Sequence, residues 1–268
     1  MLGKRFLTAL ILGPSAIAAI LLLPVAGFAV LVGLLTLLAA WEWADLAGAR
    51  RPRAVAYVAL VLGALVGLWF AVLQAPESPL PLLLLAVAWW LVALGMGMLY
   101  PRGGGYWSRP GVLLPGLLVL VPAWLALVHL HGADAEGPRW VLVMMFLIWG
   151  ADTGAYFAGR AFGRHRLAPA VSPGKTWEGV LGGMALGIAL AMGLALLLGL
   201  TPPPHFWLLL LVTAAFSVLG DLTESLLKRG AGRKDSGTLF PGHGGVLDRL
   251  DSVTAAAPVF VLGLELLG

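Results

Sequence analysis

The sequence predicts an all-α polytopic integral membrane protein with about nine transmembrane helices and a cytoplasmic N-terminus. Three observations predict it. Of the 268 residues, 60% are apolar and 11% charged, less than half the roughly 25% charge usual in soluble domains, and the mean hydropathy is +0.95. Nine stretches approach the ~20 apolar residues that a helix rising ~1.5 Å per residue needs to cross a hydrocarbon core of roughly 30 Å. Finally, the cations alternate between the loops, as they do when Lys and Arg collect on the cytoplasmic side.

The predicted spans run 6–23, 25–46, 54–74, 80–100, 111–130, 139–160, 178–199, 206–227 and 246–267. The first follows Lys4 and Arg5, a pattern that a secretory signal shares. No soluble domain behind it calls for export, so a retained helix is expected. The second ends with Glu42 and Asp45 beside Trp41 and Trp43, tryptophans of the kind that anchor a helix at headgroup depth. The third to fifth carry few ionisable groups. In the seventh, Gly182, Gly183 and Gly187 are expected to let a neighbouring helix approach closely, and Met144 and Met145 in the sixth read as packing.

With nine spans, one side collects Lys4, Arg5, Arg50, Arg51, Arg53, Arg102, Arg109, Arg160, Arg164, Arg166, Lys175, Lys228, Arg229, Arg233 and Lys234, or 15 of the 17 cations. The other side holds Arg139 with Glu77, Asp134, Glu136 and Glu265, and Arg249 lies inside the ninth span. The net charge of +4 and the pI near 9.8 express this asymmetry, and no nucleic-acid partner is needed to explain them. The absence of cysteine excludes disulfides, thiolate nucleophiles, zinc knuckles and iron–sulfur ligation. The chain reads as one membrane domain: five motif-poor helices over 1–150, then four helices over 151–268 that carry the chemistry.

Asp152, Asp221, Glu224, Asp248, Arg249 and Asp251 all fall within the last four spans, with Glu178 at the edge of the seventh. A charge at the bilayer centre costs on the order of 2.5–3.5 kcal/mol even on lenient scales, so these groups are expected to face one another. Asp152 lies roughly 20 Å and Asp221 roughly 22 Å from the outer ends of their helices, counted at the helical rise. Asp248 and Asp251 begin the ninth helix from the cytoplasmic side, which brings all four to one level. Asp221 and Glu224 are i,i+3, as are Asp248 and Asp251, so each pair shares a helix face. Either a shared proton or a bound cation must relieve the repulsion. Carboxylate oxygens suit Mg²⁺ or a similar hard cation.

Two basic, glycine-laced loops adjoin these acids. The first, GRAFGRHRLAPAVSPGKTWEG over 159–179, places Ser172 and Lys175 just before a helix start whose free N–H groups favour an anion. It is not a P-loop, because Pro169 stands where that pattern needs glycine. The second, KRGAGRKDSGTLFPGHGG over 228–245, holds four cations with Asp235 and His243. Cations beside acids are what a metal-bound polyphosphate requires.

The segment SLLKRGAGRKDSGTLFPGHGGVLDRLD, 225–251, resembles the signature of the integral-membrane phosphatidate cytidylyltransferases, or CDP-diacylglycerol synthases. Ser225, Lys228, Arg229, Lys234, Asp235, Gly237, Phe240, Pro241, His243, Gly244, Gly245, Asp248, Arg249 and Asp251 match its fixed positions. DTGAYFAGRAFG from Asp152, SPGKTWEG from Ser172 and GDLTESLLKR from Gly220 are similar to further family segments. The resemblance covers roughly 152–257. It implies a multi-pass enzyme of a bacterial inner membrane, with its site facing the cytoplasm, that joins CTP and phosphatidic acid into CDP-diacylglycerol and releases pyrophosphate. It also implies divalent-cation dependence, with Asp221 and Asp248 as the metal acids, and relatives that form homodimers.

On that reading Asp221 and Asp248 hold Mg²⁺, and Asp251, Glu224 and Asp152 act as supporting acids or ligands of a second cation. Lys175, Lys228, Arg229 and Lys234, with Ser172, grip the nucleotide phosphates, while Arg249 and His243 bind the lipid headgroup or orient a phosphate. The attacking lipid phosphate is itself the nucleophile, so Asp221, Asp248, Asp251, Arg249 and Lys175 suffice as the catalytic set. Two rival readings are a CTP-dependent enzyme for a different lipid phosphate and a cation-coupled transporter. The second would predict acids at the midplane and often inverted repeats, whereas the acids here gather toward one face.

Overall fold

The computed structural model describes residues 2–74, 79–99, 111–239 and 244–267, with side chains described except at 2–9, 72–74 and 99. His243, Phe240, Pro241, Arg102, Arg109 and Glu77 lie outside the described residues, as do the side chains of Lys4 and Arg5. Among the described residues nine helices follow in order: α1 Leu2–Leu22, α2 Val25–Leu46, α3 Arg51–Gln74, α4 Leu80–Leu99, α5 Leu113–Gly132, α6 Gly137–Phe162, α7 Trp177–Leu197, α8 Phe206–Gly230 and α9 Leu247–Leu267. The chain is thus an all-α polytopic membrane protein. Eight of these helices are long and apolar enough to cross a bilayer; in α1 the described apolar stretch is Leu10–Leu22.

The expected spans agree with these helices within a few residues at each end. One feature escaped the hydropathy reading. Between α6 and α7, β1 Arg166–Ala168 pairs antiparallel with β2 Ser172–Thr176, Arg166 standing opposite Thr176 and Ala168 opposite Ser172. Three- and five-residue strands in a Gly- and Pro-rich loop carry no period-2 apolar pattern that a sequence reading could detect.

α5 and α9 are the most buried spans, and α9 packs against α2, α4, α5, α6 and α8. The helices therefore surround α9, whose first turns carry Asp248 and Asp251. The expected close approach of α7 is present: a Cβ on Gly154 would sit 2.7 Å from the Gly182 carbonyl oxygen, and one on Gly150 2.8 Å from Gly187 Cα. Only glycine lets the two backbones meet this closely. That contact fixes Asp152 of α6 relative to the hairpin that precedes α7.

Trp43 faces the protein interior. It is 2% exposed, and its indole Nε1 donates to the Val112 carbonyl at 2.8 Å, tying the end of α2 to the start of α5. Trp41, two residues earlier and 43% exposed, points the other way. A helix turns by ~100° per residue, so two tryptophans two positions apart cannot both face lipid.

Candidate active site

Four helix ends and two loops converge at one end of the bundle. Thr176 closes β2 and caps α7, its hydroxyl accepting from Gly179 N at 3.1 Å. This cap holds the neighbouring Lys175 at the edge of the bundle, where its Nζ lies 2.5 Å from Asp221 Oδ2. Ser225, one turn further along α8, donates to Asp221 Oδ1 at 3.4 Å. Ser172 opens β2 and does not line the cavities described below.

Asp248, in the first turn of α9, is held more fully. Its Oδ1 accepts from Lys228 Nζ at 2.6 Å. Its Oδ2 accepts from Ser236 N and Ser236 Oγ at 2.9 Å each and from Gly245 N at 2.8 Å. Gly244, which precedes this turn, has φ +81°, and a Cβ there would collide with the Asp248 carboxylate.

Lys228 also meets Glu224 Oε2 at 3.2 Å, so one ammonium bridges Glu224 on α8 and Asp248 on α9. The relief of charge expected within each i,i+3 pair is thus organised across the two helices, with a lysine as the intervening cation. Glu224 is 3% exposed, and its carboxyl also meets that of Asp251. Asp251 accepts from Ser252 N at 2.7 Å.

Asp152, Asp221, Lys228, Arg229, Lys234, Asp235, Asp248, Arg249 and Asp251 line one polar cavity of about 320 Å³. Four of the five expected acids are therefore brought together with Lys228, Arg229, Lys234 and Arg249, whereas Glu224 and Lys175 do not line this cavity and reach it through Lys228 and Asp221. Arg229 is partly committed elsewhere: its Nε donates to the Val171 carbonyl and its Nη1 to that of Arg233, both at 3.2 Å, which ties the hairpin to the loop after α8. The Arg249 side chain forms no hydrogen bond or close ion pair among the described residues, and its charge acts on Asp152. Glu178 is spent on the hairpin base, where it accepts from Arg164 N at 3.1 Å and lies 2.6 Å from His165 Nδ1.

A second cavity, of about 460 Å³, lies between α1, α2, α6 and α9 and is walled by apolar side chains including Leu12, Phe28, Met145 and Trp149. Asp152, Asp248, Arg249, Asp251 and Ser252 also line it, and the same residues line the polar cavity. The two cavities share that wall.

Sequence reading missed two contributors to the site. Ser236, 2% exposed, sits among glycines in the loop and has no spacing signature. Glu42 stood out only as an acid in an apolar helix, yet it accepts from Val246 N at 2.9 Å, Leu247 N at 2.8 Å and Ser236 Oγ at 2.8 Å.

Among the described residues no three His, Cys, Asp or Glu side chains form a ready-made metal cluster. The donor chemistry nevertheless fits a hard cation. Mg²⁺ is ordinarily held by one or two carboxylates together with substrate phosphates and water, and the polar cavity presents Asp221 and Asp248 from adjacent helices.

The fold and site define a polytopic membrane protein with an acid–base cluster on the wall shared by a polar and an apolar cavity. The chain belongs to the cytidylyltransferase family, whose model matches residues 3–267. It is 46% identical over 266 residues to a protein of Pseudomonas aeruginosa named phosphatidate cytidylyltransferase, covering 97% of this chain and 96% of that one. A Haemophilus influenzae protein of the same name is 41% identical over 280 residues, covering 97% of each. One from Brucella suis is 40% identical over 164 residues, 60% of this chain and 58% of that one.

Proposed function

We propose that this chain joins CTP to phosphatidate, forming CDP-diacylglycerol and pyrophosphate at the cytoplasmic face of a bacterial inner membrane. The observation that carries the reading is the wall the two cavities share: one suits acyl chains, the other a polyphosphate, and both are lined by Asp152, Asp248, Arg249 and Asp251. The names of the relatives, which span nearly the whole chain, support the same substrates. Orientation follows from the cations of the α2–α3, α6–α7 and α8–α9 loops, all at the site end, because such loops stay cytoplasmic.

In the reaction a phosphatidate oxygen attacks the α-phosphorus of CTP. A new P–O–P bond forms, the bond from the α-phosphorus to the β-phosphate oxygen breaks, and pyrophosphate leaves with its electron pair. A phosphate monoester has a second pKa near ~6 and is already anionic at neutral pH, so no protein nucleophile is required. The protein's task is positioning and charge stabilisation. Arg249, which lines both cavities, receives the lipid phosphate. Lys175 and Lys234 grip the nucleotide phosphates, and Arg229 contributes its charge while bracing the two loops. Lys228 holds Glu224 and Asp248 in register. Asp221 and Asp248 would hold Mg²⁺, with Asp152, Asp251 and Glu224 in support. When bound, the ion would neutralise charge on the transferring phosphoryl group and the leaving pyrophosphate.

The test is purified protein in detergent with CTP, Mg²⁺ and phosphatidate, scored for CDP-lipid and pyrophosphate. Equimolar formation of both is expected. Faster turnover of a different lipid phosphate would overturn the substrate assignment. Absence of product together with cation flux in liposomes would overturn the reaction.

A further inference from the structure

We infer that Glu42, on a helix outside the signature segments, is a positioning residue for Asp248. The inference rests on the cytidylyltransferase reading only in taking Asp248 as functional. A carboxylate at the end of an apolar span is costly unless it is hydrogen-bonded, and Glu42 is met by three donors. Two of them, Val246 N and Leu247 N, lie at the start of α9, where N–H groups have no intrahelical acceptor. The positive end of the helix dipole adds to their hold on a carboxylate. α9 is thus capped by a side chain from α2, 205 residues away in sequence.

The third donor links this cap to Asp248. Ser236 Oγ lies 2.8 Å from Glu42 Oε2 and 2.9 Å from Asp248 Oδ2. One hydroxyl therefore stands between a carboxylate of α2 and a carboxylate of α9; its single proton is given to one of them at a time, while Asp248 N donates to the same oxygen at 3.3 Å and keeps it tied to α9. The loop is shaped to admit Glu42: a Cβ on Gly237 or Gly245 would run into its carboxylate. Further out, Asp45, three residues along α2, pairs with Arg233 near the start of the same loop. α2 consequently grips the loop near its start through Arg233, at Ser236, and at its junction with α9. Without Glu42 the first turn of α9 loses its cap and Ser236 loses one of its two anchors, so Asp248 keeps Lys228, Ser236 N and Gly245 N but loses the brace that holds those donors in line.

The experiment is steady-state kinetics of the full chain in detergent, with kcat expressed per folded molecule and thermal unfolding followed in parallel. Glu42→Gln keeps the size of the side chain but presents an amide donor to a set of donors. It is expected to lower kcat about 10- to 100-fold, the scale of losing a supporting partner to a site ligand, while KM for CTP changes far less. Glu42→Asp restores the charge at shorter reach and should recover part of kcat. Ser236→Ala, which leaves the two backbone bonds of Glu42 intact, should lower kcat by itself. The double variant should lose less than the product of the two single losses, as expected for groups in one network.

An inactive wild-type protein would refute the functional reading instead. With active wild type, three results would each overturn the positioning role: a folded Glu42→Gln with wild-type kcat, a loss confined to KM, or losses that multiply fully in the double variant. Should Glu42→Gln fail to fold, Ser236→Ala decides alone, and wild-type kcat there overturns the inference.

Discussion

Asp221 and Asp248 look into one cavity from neighbouring helices, but the regions around them are built differently. Asp221 sits nine residues before the end of α8 with a side chain 28% exposed, and its charged partner is Lys175 at the end of a short hairpin. Asp248, with a side chain 7% exposed, is fixed by Lys228, Ser236 and Gly245 and, through Ser236, by α2. In the first arrangement the part-exposed Lys175 can turn from Asp221 to an incoming phosphate, leaving Asp221 to accept a cation. The second is a rigid mount. A site that takes up a large anion and later expels pyrophosphate needs both, one carboxylate that holds its place and one whose partner yields.

The largest effect that tests this contrast is on turnover. Asp221→Asn and Asp248→Asn should each lower kcat by roughly 10²- to 10³-fold or more, the scale of losing a group that stabilises transition-state charge. Only Asp248→Asn should also lower the unfolding temperature in detergent, because its carboxamide NH₂ or lone oxygen must face both Lys228 and the N–H groups of Ser236 and Gly245. Two variants that melt alike would break the comparison, and wild-type rates in either would refute the metal assignment.

Lys228 gives the next largest effect, on stability. Its removal in Lys228→Met leaves Glu224, 3% exposed, and Asp248 without their shared cation, and breaking a buried pair costs about 3–5 kcal/mol. The corresponding change near Asp221, Lys175→Ala, should leave the melting temperature near that of wild type. Instead it should raise KM for CTP roughly tenfold or more, as expected for one lost charge-assisted hydrogen bond. Reversed outcomes, with Lys175→Ala unstable and Lys228→Met altered only in KM, would exchange the roles given to the two lysines.

The same contrast explains what the sequence disclosed. Spans were legible because hydropathy is a local property, and the acids were legible because each is anomalous in an apolar helix. Asp152, Asp221, Asp248 and Asp251 could be brought to one level by counting helical rise alone. Spacing along a helix does not say which neighbour lies across from it, so the bridging of Glu224 to Asp248 by Lys228 was hidden although all three residues stood out. The hairpin was hidden for a different reason: its strands are too short and too polar to show a period. Glu42 was hidden because its partners are backbone N–H groups, which every residue possesses and no composition can flag.

The smallest effect concerns the outer clasp between Asp45 and Arg233. Their side chains are 54% and 46% exposed, and an exposed ion pair contributes at most about 1 kcal/mol. Arg233→Ala should therefore shift the unfolding temperature only slightly at low salt. The shift should vanish near ~1 M salt, where the screening length falls to ~3 Å. Glu42→Gln, on the same helix and acting on the same loop, exchanges carboxylate-to-N–H bonds that are part-buried and short, so its effect should persist at both salt concentrations. Unfolding scans of the two variants at low and high salt separate the cases. A salt-insensitive loss in Arg233→Ala would mean that the clasp is as well shielded as the cap, and the grip of α2 on the loop would then be shared between Asp45 and Glu42.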